Sequence, residues 1–340
     1  MFQKTLPLWL LILAVAPACG DDTTTSDSGL TDADADTDTD ADTDTDTDTD
    51  TDLDITALSV SADFTEVSTK DQVSLTATAT LPDGSETDVS RDAAWSSSDE
   101  AVIKFYEAAT GQPLWSGTAT LTGSYGDFDG SVEVTVTMAQ ASAGDLVFND
   151  LLIDGTIDGD PNGDGSLDAT EDEFVEVANS ADATVDLSGV TLEELGTPGL
   201  PRHTFAADTI LRAGEAIVVF GGGDVSALTS AGHANVSFVV ADNEDSALEY
   251  GLSLNNEGDH IWLYAADGTT VIDDIAYGDS DFTGTIDSIQ DASLVLDPDV
   301  WGTDYTHHSY ATDSSGDVSP GTYTDGSAFP GADGRYGGAR

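Results

Sequence analysis

Val73-Ser-Leu75-Thr-Ala77-Thr-Ala79-Thr80 alternates apolar and hydroxyl residues without interruption. A period of two sends successive side chains to opposite faces of an extended chain. The stretch therefore predicts a half-buried β-strand with its Val, Leu and Ala side chains inward. Val132-Glu-Val134-Thr-Val136-Thr137 repeats the pattern, with three valines on one face and Thr/Glu on the other. The turn signals Pro82-Asp83-Gly84 and Asp129-Gly130 fall between such strands. Short alternating strands, frequent turns and no helical period, from Ile55 to about Met138, predict a β-sandwich.

Leu81-Pro-Asp-Gly84, Asp88-Val89, Ala94-Trp95-Ser-Ser-Ser98-Asp99 and the closing Gly117-Thr-Ala-Thr120 with Val132–Val136 carry a resemblance. On these residues the unit 55–140 resembles a group 2 bacterial immunoglobulin-like domain. The resemblance implies that Trp95 is the core tryptophan and that the domain presents or spaces other parts. The stretch Lys104–Trp115 departs from the short connection usual in that family, and no element is assigned to it.

A second set of strands follows over 145–330: Leu146-Val-Phe148, Phe174-Val-Glu-Val177, Ala216-Ile-Val-Val-Phe220, Phe238-Val-Val240 and Ile261-Trp-Leu-Tyr264. Several are continuous apolar runs, as expected of strands covered on both faces or entering a sandwich core at bends. Asp172-Glu-Phe-Val-Glu176-Val-Ala-Asn179, Leu187-Ser-Gly189-Val-Thr-Leu192 and Arg202-His-Thr-Phe205 stand in order along this unit. Leu211-Arg-Ala-Gly214-Glu, Val218-Val-Phe-Gly221, Leu254-Asn-Asn256-Glu-Gly258-Asp259 and Ser319-Pro-Gly321 follow them. These motifs resemble a bacterial lamin tail domain, which implies a second immunoglobulin-like sandwich. The chromatin and protein contacts of nuclear relatives do not carry over to an exported, acidic chain. The expected fold class is all-β, with two immunoglobulin-like β-sandwich domains in tandem after a signal peptide and a disordered acidic tether.

Asp160-Pro-Asn162-Gly-Asp164-Gly165-Ser166-Leu167-Asp168-Ala-Thr-Glu171 fits the EF-hand spacing D-x-N-x-D-G-x-L-D-x-x-E at every position. Asp160, Asn162 and Asp164 would supply oxygens to one side of a tight loop, and Gly165 permits the sharp turn. Ser166 would offer its carbonyl, Asp168 would act directly or through water, and Glu171 would close the site bidentately. Asp172 and Glu173 compete with Glu171 for the twelfth position. Strands rather than helices flank the loop, which predicts a structural calcium clip instead of a sensor that opens a helix pair.

The N-terminus reads as an address. Residues 1–18 carry Lys4, the apolar run Leu8–Ala16 and small residues, the pattern of a secretory signal. Ala16-Pro17-Ala18 stands directly before Cys19, the one cysteine of the chain, and resembles a bacterial lipobox. That resemblance implies acylation of Cys19 and anchoring in the outer membrane, with Gly20 at the sorting position. Residues 19–54 are nearly all Asp, Thr, Ser and Ala, with too little apolar surface to offset ordering entropy, and predict a stretched, solvated tether. Residues 331–340 are expected to be a disordered tail.

The chain has 340 residues, with 66 Asp+Glu against 8 Lys+Arg and a formal net charge of −58. Such a charge excludes a binder of nucleic-acid phosphates and electrostatic docking on anionic lipid, and it attracts divalent cations. His203, His233, His260 and the pair His307-His308 are the imidazoles. His203 is expected to make a structural hydrogen bond, and adjacent His307 and His308 point to opposite faces of a strand, a poor metal pair. No Gly-x-Ser-x-Gly elbow is present, and Gly221-Gly-Gly223 lacks the lysine of a phosphate loop, so it reads as an ordinary loop. The expectation is a non-catalytic, envelope-anchored lipoprotein, probing surfaces, polysaccharide or proteins through its calcium-stabilised distal domain. Two alternatives stand beside it: a periplasmic structural protein of the envelope, and an accessory subunit of a secreted hydrolase.

Overall fold

The computed structural model describes residues 53–154, 159–242, 251–278 and 292–331. The expected signal sequence 1–18, Cys19, the expected tether through Asp52 and the expected tail beyond Gly331 lie outside the described residues. What is described is nearly all β, in two successive sandwiches.

In the first sandwich, strands Ala57–Ala62, Val73–Thr80, Thr110–Pro113 and Ile103–Glu107 lie side by side in that order, with Glu86–Asp88 also paired to Val73–Thr80. The facing sheet runs Glu66–Ser68, Phe128–Thr137, Gly117–Tyr125 and Ala94–Ser97. The alternation in the sequence becomes alternation of burial: Val73, Leu75, Ala77 and Ala79 turn inward while Ser74 and Thr76 meet solvent. Ala119, Leu121, Val134 and Val136 close the core from the other sheet. Full burial of a Leu121-sized side chain contributes about 2 kcal/mol. Val132, the third valine of its run, is half-buried against the same core.

Trp95 links the two parts of this core. Its ring stacks on Phe105 with centroids 6.1 Å apart, and its Nε1 donates to the Ser90 carbonyl at 2.9 Å. Its ring packs against Gly123, where an added Cβ would stand 2.9 Å from Cζ3. The unassigned stretch after Lys104 is a hairpin. Ile103–Glu107 pairs with Thr110–Pro113, which in turn pairs with Val73 and Ser74. Its sequence does not alternate, because its burial comes from joining an existing sheet edge and not from presenting a regular apolar face of its own.

The second sandwich has a six-stranded sheet, in order Val236–Val240, Ala216–Phe220, Phe174–Asn179, Leu146–Leu152, Leu294–Asp297 and Asp304–His307. Against it packs a four-stranded sheet of His203–Thr204, Thr191–Glu194, Gly258–Tyr264 and Val271–Gly278. The continuous apolar runs are explained by cover on both faces. Ile217 and Val219 enter the core between the sheets. Val218 and Phe220 point the other way, beneath Leu228 of the helix Ser226–Ala231 and beneath Val318. Phe174 and Val175 divide between the faces in the same way.

The two sandwiches are joined by polar contacts, buried at Thr69 and more exposed around Lys70. Thr69 Oγ1 donates to the Thr184 carbonyl at 2.6 Å, and Thr184 Oγ1 donates to the Leu114 carbonyl at 2.9 Å. Lys70 Nζ donates to the Gln140 carbonyl and to Ser142 Oγ, and pairs with the Asp145 carboxylate. Ala139–Gln140 runs parallel to Val185–Asp186, in a small sheet that Ile210–Leu211 completes. The connecting peptide is therefore hydrogen-bonded into the second sandwich.

Candidate calcium-binding loop

The loop 159–172 lies in the connection between two neighbouring strands of the six-stranded sheet, Leu146–Leu152 and Phe174–Asn179. Its short-range chemistry follows from Asp and Asn side chains bonding to amides a few residues ahead. Asp160 Oδ1 accepts from Gly163 N at 2.8 Å and Asp164 N at 3.1 Å, and its Oδ2 accepts from Gly165 N at 2.7 Å. Asn162 Oδ1 accepts from Asp164 N, and Asp164 Oδ1 from Ser166 N. Asp168 Oδ1 accepts from Thr170 N and Glu171 N, and these bonds hold its carboxyl below the usual range. Gly163 and Gly165 both take positive φ, 77° and 91°, where a side chain would be strained.

All six sequence-predicted positions thus fall in one tight loop, with Asn162 buried and Asp160, Ser166, Asp168 and Glu171 exposed. Among the described residues, no three His, Cys, Asp or Glu side chains already converge to hold a metal ion. The loop carboxylates are turned to their own backbone amides, and bringing them together requires a cation to offset their repulsion.

Two features of the loop were not legible in its motif. The first is its seat. Gly221-Gly222-Gly223, read from the sequence as an ordinary loop, lies directly against it. An added Cβ at Gly221 would stand 1.9 Å from the Thr170 carbonyl oxygen, at Gly222 2.7 Å from Glu171 Cγ, and at Gly223 2.3 Å from Asn162 Nδ2. Gly221 N and Gly222 N donate to the Glu173 and Glu171 carbonyls. The glycines serve close backbone approach, and the unbroken triplet was the available signal. The second is Asp172, fully buried, with Oδ2 accepting from Asp168 N at 2.8 Å and Oδ1 without a hydrogen-bond partner. Burial raises its carboxyl above the usual range.

Beyond the loop, buried carboxylates fasten backbone. Glu173 Oε2 accepts from Leu254 N at 3.2 Å, and burial pushes its carboxyl up to about 9. Glu176 accepts from Asn149 Nδ2 at 2.8 Å and Gly321 N at 2.7 Å, and burial carries it well above the carboxylate range. Asp150 Oδ2 accepts from Ser319 Oγ at 2.9 Å, with its carboxyl raised by burial to about 6. Asp299 accepts from Thr324 N and Oγ1. The Ser319-Pro-Gly321 motif is thereby the point at which the C-terminal segment is held down on the sheet. Arg202 and Glu194 form a buried ion pair at 2.7 Å.

The imidazoles serve local structure. His203 stands 2.8 Å from Asp242 Oδ1 and edge-on to Phe205, and burial lowers its pKa. His260 stacks on Trp262 and faces Asp274. His307 ends a strand beside Tyr310, whereas His308 is buried with Nδ1 2.9 Å from the Gly316 carbonyl, so the adjacent pair diverges.

This loop, its glycine seat and the Ser319–Gly321 fastening all belong to the second sandwich. Residues 139–279 match the family model of the Lamin Tail Domain. The match covers the Asp160–Glu171 loop, the glycine seat and the strands of the second sandwich up to Gly278. No curated protein matches the chain. Among solved structures, the chain is similar to a DUF4876 family protein from Bacteroides thetaiotaomicron, at 10% identity and a TM-score of 0.28. That similarity covers 61% of this chain and 65% of the other, so the chain spans less than two thirds of that protein's length. It is also similar to domains 5-6 of the S-layer protein SbsC, at 13% identity and a TM-score of 0.20, over 65% of this chain and 95% of the other.

Proposed function

We propose that this chain is a non-catalytic protein of the cell envelope, anchored through an acylated Cys19 and holding its lamin-tail-like sandwich away from the membrane on the acidic tether. The first sandwich, similar in its motifs to a group 2 immunoglobulin-like domain, acts as a spacer, and the second contacts surfaces, polysaccharide or other proteins. Calcium bound by the oxygens of Asp160, Asn162, Asp164, Ser166 and Asp168, and closed by a carboxylate from Glu171, Asp172 or Glu173, clips the second sandwich. The observation that supports the non-catalytic reading is the use of the buried carboxylates: Glu176 and Asp299 accept with both oxygens, and Glu173 with one, from amides or hydroxyls of other segments. Carboxylates so engaged hold segments together.

Protease shaving of intact cells, scored with an antibody against the second sandwich, tests the display. Loss of the domain while a periplasmic control survives supports outward presentation. Survival until the outer membrane is broken overturns it in favour of a periplasmic role. Cells treated with chelator separate true protection from protease resistance conferred by calcium.

A further inference from the structure

We infer that the carboxylate closing the calcium site is Asp172, one position beyond the residue that closes an EF-hand. This rests on the calcium reading above and assigns within it a ligand that the spacing motif does not name.

The oxygens of the loop are unequal. Both Asp160 oxygens, Asn162 Oδ1, Asp164 Oδ1 and Asp168 Oδ1 accept from loop amides. Asp172 Oδ1 is different, because it is buried and accepts from nothing. A buried carboxylate oxygen with no donor is rare, since its desolvation is uncompensated. Its sister oxygen holds Asp168 N at 2.8 Å, which pins the carboxyl against the loop. Burial is the chief cause that raises its carboxyl, the amides of Asp168 and Asn162 lower it, and the charges of Asp160 and Asp164 add to the rise. A divalent cation drawn into the loop would offset that repulsion and supply the missing partner of Oδ1.

The two competitors are placed elsewhere. The Glu171 stem lies across Gly222, with its side chain exposed on the outside of the loop. The Glu173 carboxyl is on the sheet side, where it holds Leu254 N. Chain direction explains the shift. Asp168 N to Asp172 Oδ2, together with Asp172 N to the Asp168 carbonyl at 3.2 Å, forms a single helical turn. That turn brings the fourth residue after Asp168 back toward the loop, and the fourth residue is Asp172. An EF-hand continues from this point as a helix, whereas here strand Phe174–Asn179 begins at once, so the carboxylate must be supplied before the chain extends.

The test is calcium binding by the full chain in detergent, measured by calorimetry on wild type, Asp164→Ala, Asp172→Asn and Glu171→Gln. The Asp/Thr tether contributes weak binding common to all four, so the loop site is the component that Asp164→Ala removes. The expected result is an affinity loss of about tenfold or more for Asp172→Asn and less than about threefold for Glu171→Gln. Loss in Glu171→Gln with retention in Asp172→Asn overturns the assignment and leaves the calcium reading standing. Identical binding by wild type and Asp164→Ala overturns the calcium reading itself. Should Asp172→Asn fail to fold, Glu171→Gln alone decides, because the assignment requires it to keep the site.

Discussion

Glu176 and Gly321, 145 residues apart in the chain, meet in the interior, where Gly321 N donates to Glu176 Oε2 at 2.7 Å. The other Glu176 oxygen holds Asn149 Nδ2. One carboxyl on a central strand thus joins its neighbouring strand to the C-terminal segment. Removing it leaves a buried amide without an acceptor and a cavity beneath Gly321. Glu176→Ala is expected to lower the stability of the second sandwich by about 2–4 kcal/mol. Denaturant unfolding measures it, and a loss below 1 kcal/mol, about the net value of one hydrogen bond, contradicts the fastening role.

The buried carboxyls also set a pH dependence opposite to ordinary acid denaturation. Asp150 and Asp273 are each raised by burial from 3.8 to about 6, and Glu176 is raised well above its ordinary value by burial and by the Asp150 charge. In the window between the unfolded and folded values, the native state holds more protons than the unfolded chain, so stability falls as pH rises. It is fully present below about 4 and is lost through 6 and beyond. Exposed Asp83, Asp88 and Asp224 are shifted downward and act in the reverse sense, below their ordinary range. Tm measured in chelator is expected to be higher at pH 5 than at pH 8. A Tm that rises steadily over that interval refutes the protonated interior.

The glycine seat separates two otherwise similar substitutions. At Gly221 the added methyl meets a backbone oxygen, which cannot move without shifting the loop. At Gly222 it meets the stem of Glu171, Cγ at 2.7 Å and Cβ at 3.1 Å, which must give way but is not a carbonyl fixed in the loop backbone. Gly221→Ala is expected to cost about 3 kcal/mol and Gly222→Ala about 1 kcal/mol. Thermal melting of the two variants checks the ratio, and equal losses contradict the contact geometry.

Lys70 is expected to couple the two sandwiches. It reaches across to the Gln140 carbonyl, Ser142 and Asp145 from the first sandwich. Lys70→Ala is expected to weaken the junction by about 1 kcal/mol, because the pair is partly solvated. Calorimetry then reads a broadening or splitting of the unfolding transition. An unchanged profile assigns the coupling to Thr69 and Thr184 instead.

Residue order alone was enough for the all-β class, because period-two alternation at Val73–Thr80 and Val132–Thr137 acts locally and survives any arrangement of neighbours. The spacing from Asp160 to Asp168 was equally local, since Asx bonds to amides two to five residues ahead build the loop from within. The hairpin after Ile103 was hidden because its strands are specified by the edge they join. Which carboxylates are buried was also beyond the residue order. In a chain with 66 acidic residues, Glu176 looks like any other, and Asp172 stands out only as one of three candidates for the twelfth position of the loop. Their roles arise from donors that packing delivers from far away or from a single turn, Gly321 N to one and Asp168 N to the other, and from the low-dielectric surroundings in which an acceptor without a donor is costly.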